Sequence, residues 1–180
     1  MPTVVALLRG INVGGRAMVG MAALRAVAER LGYANVRTHL QSGNLLVDTD
    51  ASAGAVAAAI EGALLTELGM SVRVITRTPL ELQDVVRNDP FGEAATGPSR
   101  HMVVFLSQSL PQERVDAVAG RSFEPDVFRV IGREIHVWLP GGVIGSRLMS
   151  ALSEKRLGVV ATTRNWNTVA ALARMSSQPG

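Results

Sequence analysis

The order of apolar patterns in the first half of the chain is the feature that most limits its fold. Residues 4–8 form a continuous apolar run of strand length, and later stretches alternate apolar and polar residues as half-buried strands do. Strands are predicted at residues 4–8, 36–41, 44–49 and 72–76, with helices at residues 21–31 and 52–68. The resulting order, βαββαβ, predicts a ferredoxin-like unit with its strands in the order 4-1-3-2.

Similar patterns continue through the second half of the chain. Thr78, Pro79 and Glu81 form a capping-box sequence that predicts a short helix. Further strands are predicted at residues 101–106, 127–131 and 134–139, and further helices at residues 111–119, 146–152 and 165–175. We therefore predict an α+β fold of two tandem ferredoxin-like subdomains with antiparallel sheets. The first subdomain comprises residues 1–87, and the second comprises residues 101–176 and has extra C-terminal helices. A linker at residues 88–100 joins the two subdomains.

The isoelectric point of about 10.5 does not by itself indicate a nucleic-acid-binding protein. The formal net charge is only +3, and the cations are 17 arginines and the single lysine, Lys155. Because few groups titrate between neutrality and the arginine pKa, a small excess of cations raises the isoelectric point strongly. A genome composition bias explains the arginine content better than a basic binding face does.

The absence of cysteine limits both the chemistry and the compartment. It excludes disulfides, thiolate zinc sites and cysteine nucleophiles, and it fits a reducing compartment. The apolar run at residues 4–8 is too short for a signal peptide or a membrane-spanning helix. We expect a soluble cytoplasmic protein without a membrane partner, and the sequence does not indicate its oligomeric state.

A glycine-rich loop, RGINVGGR at residues 9–16, directly follows the first predicted strand. Its spacing approaches that of a nucleotide-binding phosphate loop, but Arg16 replaces the lysine and Ala17 lacks the hydroxyl that binds magnesium. The helical pattern also begins only near Met21, too late to direct its N-terminus at a phosphate. Two interpretations remain: a backbone nest that binds an anion together with Arg9 or Arg16, and a long turn with positive φ at its glycines.

QSGN at residues 41–44 is predicted to form the turn of a hairpin, with Ser42-Gly43 as its two central residues. The ferredoxin-like topology places this turn at the same edge of the sheet as the glycine loop. Gln41 and Asn44 would then present amide groups to a ligand at that edge.

TTRNWNT at residues 162–168 is a third polar cluster, and it precedes the last predicted helix. Thr162, Thr163 or Asn165 is expected to cap that helix, and Arg164 would lie beside its N-terminus as an anion site. Arg147 follows Ser146 at the start of another predicted helix, and it is a weaker candidate for an anion site of the same kind.

The sequence contains no recognisable catalytic or metal-binding set. His39, His101 and His136 all lie on predicted strands, without metal-ligand spacing and without a carboxylate pair beside them, so no metal site is predicted. Ser42 lies near His39 but lacks a nucleophile-elbow pattern. Neither catalytic residues nor a cofactor can be assigned.

The segments RGINVGG, QSGN, GREIHVWLP and TTRNWNTV resemble the DUF1697 family of uncharacterised bacterial proteins, over roughly residues 3–172. The resemblance implies two tandem ferredoxin-like subdomains and carries no established activity, cofactor or catalytic residue. Family members commonly have lysine at the positions of Arg16 and Arg147 and an aromatic residue at that of His136.

The leading functional hypothesis is a small-molecule-binding protein, with or without enzymatic activity, whose ligand carries phosphate or carboxylate. The three polar clusters would converge to form its site, because polar loops around a rigid sheet are the usual place for binding. The predicted ligand-binding residues are Arg9, Asn12, Gly14, Gly15, Arg16, Gln41, Ser42, Asn44, Arg147, Thr163, Arg164 and Asn165.

Two alternatives remain open. A nucleic-acid-binding module would use the open face of the first sheet, although the exposed aromatic residues of an RNA-recognition sheet are missing. The polar residues of that face would be Arg37, His39, Gln41, Arg73 and Arg77. The other alternative is a structural or protein-interaction role.

Overall fold

The computed structural model describes residues 1–15, 17–92, 95 and 97–178. Three residues of the predicted linker, at positions 93, 94 and 96, therefore lie outside the described part. The chain divides into two compact units: Met1–Asp84 together with the residues from Leu172 onward, and Val85–Ala171. Each unit contains a four-stranded antiparallel sheet with helices, which confirms the predicted α+β fold.

The first unit has the predicted βαββαβ order. Its strands are β1 (Thr3–Leu8), β2 (Ala34–His39), β3 (Asn44–Asp48) and β4 (Val74–Arg77). Its helices are α1 (Met21–Arg30) and α2 (Ala53–Leu68), and α3 (Pro79–Arg87) begins in this unit. The strands are arranged β2-β3-β1-β4 with antiparallel pairing throughout, as the sequence predicted.

Local sequence determines where these helices begin and end. The Ser52 hydroxyl accepts a hydrogen bond from the Ala55 N–H at 3.2 Å, and Gly69 ends α2 with a φ of +65°. At the start of α3 the Thr78 N–H donates to Glu81 Oε2 at 2.8 Å, and the Glu81 N–H donates to Thr78 Oγ1 at 3.3 Å. The predicted capping box is thus confirmed.

Strands β1, β3 and β4 of the first sheet are buried on both faces, whereas the edge strand β2 is only half-buried. The core on one face includes Val4, Ala6, Leu8, Leu24, Ala28, Leu45, Val47, Val56, Ile60 and Leu64. On the other face Val5 and Leu7 are fully buried, and Arg77, which pairs with Val5, is only 1% exposed. The predicted open face is therefore wrong at Arg77, whereas Arg73, which precedes β4, keeps 59% of its side chain exposed.

The connection between β2 and β3 is longer than predicted. Residues 40–43 join the strands, in place of a two-residue turn at Ser42-Gly43. Leu40 has a φ of +60° and is 56% exposed, so it is not an inward-facing strand residue. The Asn44 side-chain amide donates to the His39 carbonyl oxygen at 2.7 Å and closes this connection.

The second unit repeats the strand order and contains one strand that the sequence did not predict. Its strands are β5 (His101–Leu106), β6 (Val127–Ile131), β7 (Glu134–Trp138) and β8 (Ala161–Asn165), arranged β6-β7-β5-β8. Its helices are α4 (Gln112–Ala119), α5 (Arg147–Ala151) and α6 (Glu154–Leu157), followed by the first part of α7 (Trp166–Ser177). The core includes Val104, Leu106, Ile135, Val137, Leu139, Leu148, Leu152 and Leu157.

No helix within the described residues has both the length and the apolar character needed to cross a bilayer.

Candidate functional site

The glycine loop and the QSGN turn are neighbours, as the topology predicted. The Asn12 side-chain amide donates to the Gln41 carbonyl oxygen at 2.7 Å and to the Val19 carbonyl oxygen at 2.9 Å. The Asn12 Oδ1 atom also accepts the Val19 N–H at 2.8 Å. Asn12 is thus the side chain that joins the two segments.

The side-chain amides of Asn12 and Asn44, which were predicted to bind a ligand, already form structural hydrogen bonds. Asn44 is fully buried, and its amide also donates to Ser42 Oγ at 3.1 Å. Arg9, Gly14, Gly15, Gln41 and Ser42 are exposed at this sheet edge, whereas Arg16 lies outside the described residues. The role of this edge in ligand binding stays a prediction.

The third cluster belongs to the second unit and lies on a strand. Arg164 is only 6% exposed; its guanidinium donates to Thr162 Oγ1 and to the Thr163 carbonyl oxygen, both at 2.8 Å. Burial lowers the pKa of Arg164 to about 10. Arg164 lies on β8 two residues before α7 begins, so it stands beside a helix N-terminus as the sequence predicted, but in a buried position; its role as an anion site stays a prediction.

Asn165 is the capping residue among the three that the sequence proposed. Its Oδ1 atom accepts the Thr168 N–H at 2.9 Å, and α7 begins at the next residue. Arg147 is exposed at the start of α5, where the Ser146 hydroxyl accepts the Met149 N–H at 3.1 Å. Arg147, Thr163, Arg164 and Asn165 lie in the second unit and the two loops lie in the first, so the convergence of all three clusters stays a prediction.

The second unit contains a basic pocket that the sequence did not predict. Its volume is about 310 Å³, and the described residues that line it include four cations and no acid. The lining residues are Arg114, Ala117, Val118, Arg121, Ala151, Lys155 and Arg156. We refer to this cavity as the basic pocket.

The periodicity of the α-helix brings these residues together. Arg114, Ala117 and Val118 recur at i, i+3 and i+4, which places them on one side of α4, and Arg121 follows just after the helix ends at Ala119. Arg114 Nη1 donates to the Arg156 carbonyl oxygen at 3.3 Å, so α4 and α6 face each other across the pocket. The Arg121 guanidinium lies 5.1 Å from the centre of the Phe123 ring, which orients it.

The structure also brings together two of the three histidines. His101 Nε2 lies 3.4 Å from His136 Nδ1 and 4.0 Å from Asp89 Oδ1. Both histidines are 1% exposed, whereas the Asp89 side chain is 18% exposed. The sequence gave no sign of this Asp89-His101-His136 cluster, because its members are far apart in the chain and depend on strand register.

The comparison with known families assigns the chain. The family described as "Protein of unknown function (DUF1697)" matches residues 1–136. The chain belongs to this family. No curated protein matches it.

Among solved structures, the DUF1697 chain is similar to the conserved bacterial protein SP0830 from Streptococcus pneumoniae. The sequence identity is 20%, the match covers 97% of this chain and 98% of that one, and the TM-score is 0.77. At this level of identity the similarity supports the fold alone.

Replacing Asn12 with alanine should destabilise the first unit. The variant loses three hydrogen bonds and places alanine at a φ of +54°, so we expect the free energy of unfolding to fall by about 2–3 kcal/mol. Asn12→Gly removes the same side chain but tolerates the positive φ, so it should be about 1 kcal/mol more stable than Asn12→Ala. Urea unfolding followed by circular dichroism measures both. Wild-type stability of Asn12→Ala would contradict the structural role.

Proposed function

We propose that this DUF1697 protein binds a small anionic metabolite, bearing phosphate or carboxylate, in the basic pocket of the second unit. The observation that carries the proposal is the lining itself: Arg114, Arg121, Lys155 and Arg156 surround one cavity of about 310 Å³. Positive side chains that line one cavity create a local positive potential, and an anion placed among them is attracted to it. Arginine also offers paired donors that suit phosphate and carboxylate oxygens.

The size and lining of the pocket narrow the ligand class. Cavities that bind small molecules usually begin at about 300 Å³, so this one suits a compact metabolite. Ala117, Val118 and Ala151 add an apolar part to the lining. A ligand with an anionic end and a less polar body, such as a phosphorylated sugar or a nucleoside monophosphate, uses both surfaces better than inorganic phosphate does.

The basic pocket is a better candidate than the edge formed by the glycine loop and the QSGN turn. There, the side-chain amides of Asn12 and Asn44 already bind backbone groups. In the basic pocket Arg114 also donates to a backbone carbonyl, but Lys155 and Arg156 are exposed on α6, and their side chains can turn toward a ligand. We also propose a cytoplasmic location, consistent with a chain without cysteine, which fractionation of the cells that produce the protein would test.

Isothermal titration with inorganic phosphate, sugar phosphates, nucleoside monophosphates and dicarboxylates tests the proposal. At least one of the organic anions should bind the wild type more tightly than inorganic phosphate. The double variant Arg114→Gln/Lys155→Gln should weaken that binding about tenfold or more, because each lost charged hydrogen bond contributes about 1.5 kcal/mol or more. Arg129→Gln, which removes an exposed arginine of β6 outside the pocket, is the matched control and should bind as the wild type does.

Lys155 provides an independent readout because it is the single lysine of the chain. A bound anion should protect its amine from acetylation, and mass spectrometry separates this site from the N-terminal amine. Binding that leaves Lys155 equally reactive, or that survives unchanged in the double variant, would place the ligand elsewhere. Saturable binding of an RNA oligonucleotide in preference to every metabolite would favour the nucleic-acid alternative instead.

A further inference from the structure

Three metal-ligating groups meet on the sheet of the second unit. We propose that Asp89, His101 and His136 form a binding site for one divalent transition-metal ion of the zinc class. Their ligand atoms all lie within 4.8 Å of one another, so a short movement of one side chain brings all three within reach of a single ion. This inference is independent of the basic pocket, since the two sites share no residue.

Strand register places the two imidazoles beside each other. β5 and β7 are antiparallel, with His101 opposite Trp138 and Val103 opposite His136. His101 and His136 are therefore diagonal neighbours on one face of the sheet, at a separation that long side chains can span. The backbone of two central strands thus determines the position of both rings.

Aromatic contacts hold the His101 ring in place. Trp166 stacks on it with ring centres 4.3 Å apart and planes 10° apart, and Phe91 approaches it edge-on at 5.2 Å. The Trp166 ring also lies 6.0 Å from that of His136. Rings packed in this way cannot turn away from each other cheaply, so two ligands are already oriented before an ion binds.

The distance between the nitrogens fits two ligands of one metal ion. Two nitrogen ligands at about 2.0–2.1 Å from a tetrahedral zinc ion are about 3.4 Å apart. His101 Nε2 and His136 Nδ1 have that separation, 3.4 Å. The same separation is long for a direct N–H···N hydrogen bond, which prefers about 2.7–3.2 Å, and X-ray absorption of the zinc-loaded protein distinguishes the two arrangements.

Asp89 supplies the third ligand, and its side chain is the one that moves when an ion binds. Its Oδ1 atom accepts the Phe91 N–H at 2.9 Å, which holds the carboxylate beside His101 at 4.0 Å. Because Asp89 is the most exposed of the three, its side chain can move the short distance to an ion while the histidines stay fixed. Two imidazoles and one carboxylate suit zinc, cobalt or nickel better than calcium or magnesium, and they leave a position for water.

Metal titration of tag-free protein, first stripped with a chelator, tests the site. Zinc should bind with a stoichiometry of one per chain, and cobalt(II) should give the visible absorption of a four-coordinate ion. Asp89→Asn keeps an oxygen for the Phe91 N–H but loses the charge, and it should weaken zinc binding about tenfold or more. His136→Phe should abolish stoichiometric binding.

His39→Gln is the matched control, because it removes the remaining histidine, which lies on β2 in the first unit. This variant should bind zinc as the wild type does. X-ray absorption of the zinc-loaded wild type should show two imidazole ligands, a readout that does not depend on any variant folding. The proposal is overturned if the wild type takes up no stoichiometric zinc, if its zinc lacks imidazole ligands, or if His39→Gln loses as much affinity as Asp89→Asn.

Discussion

Replacing Gly43 with alanine is expected to lower the free energy of unfolding of the first unit by about 2–4 kcal/mol. Gly43 has a φ of +80°, which disfavours any residue with a Cβ atom. A Cβ atom at this position would also lie 2.5 Å from Ile11 Cδ1 and 3.0 Å from Leu8 Cβ. Ile11 is only 1% exposed and Leu8 is fully buried, so neither can move away without disturbing the core.

Replacing Gly14 with alanine separates the cost of the positive φ from the cost of the steric contact. Its φ is +60°, yet a Cβ atom there would meet nothing within 4 Å. Gly14→Ala should therefore show only the conformational cost, about 1 kcal/mol. Circular dichroism is the suitable probe for both variants, because Trp138 and Trp166 both lie in the second unit. Equal losses in the two variants would mean that the QSGN turn does not pack on Ile11 as described.

The fold of the first unit was largely predictable because its apolar residues follow the period of the structure they form. Leu24, Val27 and Ala28 are buried on α1 at helical spacing, and Ser52 and Gly69 flank α2 as its caps. Leu40 misled the prediction because an apolar residue in register with Val36 and Thr38 normally continues a strand. Its positive φ depends on the path of the whole connection, which a pattern of hydrophobicity does not record.

The sequence did not predict β8, because the residues that this strand buries are polar. The strand alternates between half-buried and buried residues, but the buried positions are Thr162 and Arg164. A guanidinium can occupy such a position because Thr162 Oγ1 and the Thr163 carbonyl oxygen accept its hydrogen bonds. Arg77 in the first unit is also buried, so the face predicted to be open is closed at that position.

The edge formed by the glycine loop and the QSGN turn, the basic pocket and the Asp89-His101-His136 cluster each require a different kind of information to be predicted. The neighbourhood of the glycine loop and the QSGN turn follows from topology alone, and it is confirmed. The basic pocket joins α4 to α6, and each of its charges alone is typical of a solvated helix position. The Asp89-His101-His136 cluster depends on the register of β5 and β7 and on the path of the segment that carries Asp89. Without homologous sequences or a structure, no local pattern links these residues.

Acidification should destabilise the second unit of the metal-free protein between about pH 6.5 and pH 4. Burial, and then the neighbouring His101, lower the pKa of His136 to about 4, although Asp89 acts in the opposite direction. In the unfolded chain a histidine has a pKa of about 6.5. As the pH falls through this window the unfolded state takes up a proton and the folded state does not, so the free energy of unfolding decreases. The loss reaches on the order of 3 kcal/mol near pH 4, and it is absent above about pH 7.

His136→Phe tests the origin of this dependence, because it removes the titrating ring and keeps an aromatic side chain at the position. Urea unfolding in the presence of a chelator, followed by the fluorescence of Trp138 and Trp166, reports on the second unit. His101 also has a pKa lowered by burial, so the variant should keep part of the slope and lose the larger part. Parallel stability curves for the wild type and His136→Phe between pH 4.5 and pH 7 would show that His136 accepts a proton in the folded state as readily as in the unfolded one, and its burial beside His101 would then be wrong.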